Sequence, residues 1–128
     1  MKLLLDTHIF IWADDEPERI PASVMTYLAD EANELWLSLA SVWEMQIKRQ
    51  LGKFHLQLSL AETIASHQQT NDLRLLPMTA EHIYALDNLP MHHKDPFDRL
   101  LIAQAITEDL TLVSVDPKFT LYSVKLLS

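Results

Sequence analysis

The residues best able to do chemistry in this sequence are carboxylates, each placed where an apolar run stops or a helix begins. Asp6 ends the run Leu3-Leu4-Leu5, and Glu44 follows Ser41-Val42-Trp43. Asp95 and Asp98 flank Pro96-Phe97, and Asp116 closes Leu112-Val113-Ser114-Val115 before Pro117. A carboxylate at the end of a buried strand is costly unless it is paired. Two carboxylates 4 Å apart repel by roughly 4 kcal/mol at an effective dielectric of 20, so a cluster of four must hold protons or cations. The chain has no cysteine, and no pair of its six histidines has the i, i+4 spacing of a helical zinc site. Hard oxygen ligands without thiolate select Mg²⁺ or Mn²⁺, ions that serve phosphodiester chemistry.

Ordinary explanations compete at most of these positions. Ser41 and Glu44 have the spacing of a capping box. Asp95 before Pro96 reads as an N-cap ahead of an N1 proline, with Asp98 favoured by the helix dipole. Asp116-Pro117 opens a turn. Asp6 alone has no such explanation. The histidines read as surface or supporting residues. Trp12, Trp36 and Trp43 each fall in an apolar segment and read as core.

The elements that must position these acids follow from periodicity. Lys2–Leu5 predicts a buried strand, and His8–Ala13 a helix ahead of the charged loop Asp14–Arg19. Pro21 opens a helix running to about Ala32, with Val24, Tyr27 and Leu28 on one face. Residues 34–39 predict a second strand, and the following helix is expected to take Ser41 as N-cap and Gly52 as its stop. Ser59 with Glu62 marks the next helix, residues 73–76 an edge strand, and Thr79 a short helix to about Leu86. Asp95-Pro96 begins the clearest helix, and strands at 110–116 and 122–127 complete the chain. Strands alternating with helices imply a parallel sheet covered on both faces. In such a sheet ligands bind beyond the C-terminal strand ends. All five acids fall at that edge.

The bounds agree with this. A chain of 128 residues with one glycine and 48% apolar residues reads as a single domain over residues 1–128. No apolar run reaches the roughly 18 residues of a membrane span, so a cytoplasmic protein is expected. The net charge of −8 opposes simple electrostatic binding of nucleic acid. Divalent cations among the acids would offset part of it.

Four segments together resemble PIN-domain ribonucleases, most nearly the toxins of bacterial VapBC toxin–antitoxin pairs. They are LLLDTH, SLASVWEMQIKRQLGK, HKDPFDRLLIAQA and LTLVSVDPKF, in family order from Leu3 to Phe119. The resemblance implies an α/β/α sandwich of strand order 3-2-1-4-5 and Mg²⁺-dependent endonucleolytic cleavage of RNA, leaving 5′-phosphate and 3′-hydroxyl ends. It implies that Asp6, Glu44, Asp98 and Asp116 are the catalytic, metal-holding quartet, with Thr7 and Asp95 supporting them. It also implies a small antitoxin partner and a homodimer. Lys48, Arg49, Lys53 and Arg99, with Lys94 and Lys118, could guide the RNA backbone or simply solvate helix faces. Two rivals remain: a phosphatase or phosphotransferase with Asp6 as nucleophile, and a non-catalytic interaction module of the same fold. The first is disfavoured because His8 stands where a haloacid-dehalogenase pattern needs a second aspartate.

Overall fold

A computed structural model describes residues 1–128. The strands are β1 (Lys2–Leu5), β2 (Glu34–Ser38), β3 (Arg74–Leu76), β4 (Thr111–Val113) and β5 (Leu126–Leu127). The helices are α1 (Thr7–Asp15), α2 (Ala22–Ala29), α3 (Leu39–Gln50), α4 (Leu60–Asn71), α5 (Ala80–Tyr84) and α6 (Pro96–Thr107). All strands are parallel, in the order β3-β2-β1-β4-β5. This is the expected α/β/α architecture, with β3 and β5 at its edges.

Strand β1 is central because both of its faces are buried. Leu3 and Leu5 enter one apolar cluster with Ile9 and Phe10 of α1, Val24 of α2, Met45 of α3 and Ile64 of α4. Leu4 points the other way, into a cluster with Leu101, Ile102 and Ala105 of α6 and with Phe119. A strand covered on both sides needs no polar alternation, which is why Leu3-Leu4-Leu5 is uniformly apolar. No helix is long and apolar enough to cross a membrane.

The chain moves outward from β1 to β2 and β3, then crosses back to lay β4 on the other side of β1. The C-terminal end of β1 lies at this reversal, where open parallel sheets form their ligand crevice. Asp6 stands there, with its backbone N–H donating to the Val113 carbonyl at 2.9 Å.

The start of α3 differs from expectation. Ser38, the last residue of β2, is the N-cap, and its hydroxyl accepts from the Ala40 N–H at 3.0 Å. The helix therefore begins three residues earlier than the Ser41 capping box requires, and Ser41 and Glu44 are both inside it. Ser38 Oγ also donates to Gln104 Oε1 of α6 at 2.6 Å, and both residues are fully buried. That second contact decided the start. Helix α1 begins at Thr7 and reaches Asp15, while α2 stops at Ala29 and leaves Tyr27 exposed. Trp43 is 55% exposed, which corrects its assignment to the core. It lies edge-on to Phe97 at 5.4 Å, joining α3 to α6.

Ser38→Ala removes an N-cap and leaves the buried Gln104 amide oxygen without its donor. We expect a loss of about 2 kcal/mol in urea unfolding, the joint scale of a lost cap and an unpaired buried acceptor. A loss below a few tenths would show that the Ser38–Gln104 contact contributes nothing.

Candidate active site at the sheet's switch point

Asp6 takes the N-cap position of α1, yet its side chain caps no helix N–H. It is 4% exposed, and Ser114 Oγ donates to its Oδ2 at 2.7 Å. Burial raises its pKa above the ordinary carboxylate value, against the opposing effect of the Ser114 hydrogen bond.

Glu44 reaches the same crevice from the second turn of α3 and is 6% exposed. Thr7 Oγ1 donates to Glu44 Oε1 at 2.8 Å, and Lys48 Nζ sits 3.1 Å from Oε2. Thr7 Oγ1 is also 2.9 Å from Ser41 Oγ. A hydroxyl carries one proton, and the carboxylate can only accept, so the Thr7–Ser41 contact takes its proton from Ser41. Ser41 thus belongs to the chain of groups orienting Glu44, not to the helix cap.

Asp98 enters from the first turn of α6. Its pKa is pushed up to about 8, first by burial and then by the negative charges of Asp95, Asp6, Glu44 and Asp116. Each other member of the expected quartet therefore acts on Asp98. Asp95 has a more ordinary role. Its Oδ1 accepts from the N–H groups of Phe97 (2.8 Å) and Asp98 (3.3 Å), capping α6. Asp116 lies two residues past Ser114 and is half-buried, and its Oδ1 accepts from the Lys118 N–H at 2.9 Å.

Sequence reasoning missed Ser114 and left His93 among the histidines read as surface or supporting. Ser114 is a small polar residue ending an apolar strand, a signal that gains meaning only once Asp6 is known to lie beside it. His93 is buried, not a surface residue, and its Nε2 stands 2.9 Å from Asp98 Oδ2 and 3.6 Å from Asp116 Oδ2. The possible ligand atoms of His93, Asp98 and Asp116 all lie within 4.8 Å of one another. His82 is buried elsewhere, closing the capping box of α5 and contacting Glu108 at 2.9 Å.

The basic residues divide. Lys48 is engaged with Glu44. The guanidinium of Arg99 donates to the Pro90 carbonyl (2.8 Å), the Leu86 carbonyl (3.3 Å) and the Tyr122 hydroxyl (3.4 Å), bracing the segment before α6. Arg49 is half-buried, Lys53, Lys94 and Lys118 are exposed, and none of these four forms an ion pair.

Comparison with solved structures finds the same fold in chains of low identity. A chain of VapBC2 from Rickettsia felis, bound to a DNA fragment from its promoter, is 20% identical with a TM-score of 0.76, covering 99% of this chain and 98% of that one. A chain of FitAcB from Neisseria gonorrhoeae is 19% identical with a TM-score of 0.65, over 98% and 96%. A chain of VapBC-5 from Mycobacterium tuberculosis is 17% identical with a TM-score of 0.57, over 98% and 95%. No protein of curated function matches by sequence. The model of the PIN domain matches residues 3–125, which takes in Asp6, Glu44, Asp98 and Asp116 alike. With nearly its whole length covered, the chain belongs to the PIN-domain family.

Proposed function

We propose that this protein is a metal-dependent endoribonuclease, the toxin of a toxin–antitoxin pair acting in the cytoplasm. What carries the reading is the convergence of Asp6, Glu44, Asp98 and Asp116 at the switch point of a PIN fold. Family membership supports a hydrolase acting on nucleic acid. The complexes of VapB with VapC among the structural relatives support a small antitoxin partner. A homodimer is part of the same proposal.

The donor set fits a divalent cation. Asp98, pushed up to about 8 first by burial and then by four neighbouring carboxylates, stands where a cation would favour its charged form. Mg²⁺ or Mn²⁺ held by the quartet would supply Lewis acidity toward a phosphodiester and toward water. The chain itself prepares the ligands. Ser114 fixes Asp6, while Thr7 and Lys48 hold Glu44 by its two oxygens. Arg49, Lys53, Lys94 and Lys118 have uncommitted charges for an RNA backbone, whereas Lys48 and Arg99 have inward partners that limit theirs. Because the chain carries −8, approach of RNA depends on neutralising the acids first.

Asp6→Asn and Asp98→Asn should each reduce Mg²⁺-dependent cleavage of a labelled RNA to background while the protein stays folded. Either variant cleaving at the parent rate would remove that residue from the metal set. Glu44→Gln retains an amide oxygen for Thr7 and should cost no more than about 1 kcal/mol of stability while losing activity. An active Glu44→Gln protein would reduce Glu44 to a partner of Thr7 and Lys48.

The pH dependence has a definite sign. Asp98 has a reference pKa of 3.8 and a folded value of about 8, so between these limits the folded chain holds a proton that the unfolded chain has released. Stability of the metal-free protein therefore falls as pH rises across that window, and Asp98→Asn should flatten the fall. Metal binding must displace the proton, so Mg²⁺ affinity should rise over the same range. Melting curves from pH 5 to pH 9, with and without Mg²⁺, test both trends. Mg²⁺ at 100 times its Kd adds about 2.7 kcal/mol.

A further inference from the structure

We propose that His93 is a positioning residue of the carboxylate site, holding a fixed Nε2–H beside Asp98 and Asp116, and not a ligand of the metal. The inference rests on the metal-site reading above and assigns a role that the acidic quartet leaves open.

The ring is clamped on all sides. His93 is 7% exposed, and its ring packs against Phe119 with centroids 5.9 Å apart. The backbone N–H groups of His92 and His93 both donate to the Tyr122 hydroxyl, at 3.1 and 2.8 Å. The Asp95 N–H donates to His93 Nδ1 at 3.2 Å. That last bond fixes the tautomer. A neutral imidazole has one N–H and one lone pair, so with Nδ1 accepting, the proton is on Nε2.

Nε2 points into the acids. Asp98 Oδ2 at 2.9 Å and Asp116 Oδ2 at 3.6 Å are its polar neighbours, the nearer off the N–H axis and the farther beyond hydrogen-bond reach, so the buried atom has no hydrogen-bond partner. A ligating imidazole would need its lone pair on Nε2 and its proton on Nδ1. That proton would then face the Asp95 N–H, donor against donor. Histidines that bind metal give their second N–H to a carboxylate, carbonyl or water, the reverse of this arrangement. The buried Nε2–H instead sets the positive end of its dipole beside the Oδ2 atoms of Asp98 and Asp116.

Two measurements test this. In ¹⁵N-histidine-labelled protein, the His93 ring should show a protonated Nε2 and an unprotonated Nδ1, unchanged when Mg²⁺ is added. A switch to protonated Nδ1 with Mg²⁺ would overturn the proposal and make His93 a ligand. Calorimetric Mg²⁺ titration of His93→Gln and His93→Ala provides the second readout. Glutamine restores an N–H donor near the Nε2 position and should keep affinity within about threefold, whereas alanine should lose roughly tenfold, the scale for groups that orient metal ligands. Parent-like affinity in His93→Ala would also overturn it. If the variants fail to fold, the tautomer spectrum of the parent decides. Failure of the parent itself to bind Mg²⁺ would sink the metal-site reading, while the metal-free tautomer still tests the donor assignment.

Discussion

Negative charge that cannot escape into water governs this molecule. Asp6 and Glu44 are held almost out of solvent by the elements that make the fold, and Asp98 and Asp116 face them across the same crevice. Carboxylates so placed demand compensation from hydroxyl donors, from a lysine, from retained protons or from cations. Much of the local structure meets that demand. Ser114 serves Asp6, Thr7 and Lys48 serve Glu44, and Asp98 retains a proton far above its ordinary range. The parallel sheet supplies the geometry, because the C-terminal end of its central strand lies at the point where strand order reverses, the place where open sheets bind ligands.

The fold was readable from the sequence because its signals are local. The uniform Leu3-Leu4-Leu5 run, the Asp95-Pro96 helix start and the alternation of strands with helices each report on a few neighbouring residues. The bounds were less readable where tertiary contacts competed. Ser38 and Ser41 both stand before apolar helical residues, and each could cap α3. Gln104, 66 positions away, favours Ser38 as the cap through a hydrogen bond that no local pattern contains. Trp43 misled for a similar reason: its segment is apolar, but its own position faces outward beside Phe97.

Within the site, the acids were legible and their partners were not. A carboxylate ending a buried run announces itself through its cost. Ser114 lies 108 residues from Asp6, and only strand pairing makes them neighbours. His93 was hidden by its companion: two adjacent histidines in a polar loop look equally solvated. Burial against Phe119 and the turn of Asp95's N–H toward Nδ1 separate them.

The hydrogen bond from Ser114 to Asp6 also sets a schedule. Its acceptor is made among the first residues of the chain and its donor more than a hundred residues later. Tyr122, which anchors the loop carrying His93, comes later still. At a ribosome adding roughly 5–20 residues per second, the N-terminal carboxylate waits several seconds for its neighbours. Until then β1 lacks β4, and Asp6 lacks both Ser114 and Asp116. A nascent chain that has not reached Ser114 therefore carries Asp6, Glu44 and Asp98 without Asp116 or the hydroxyl that holds Asp6. The topology thus completes the carboxylate cluster only when the segments after α6 have joined the sheet.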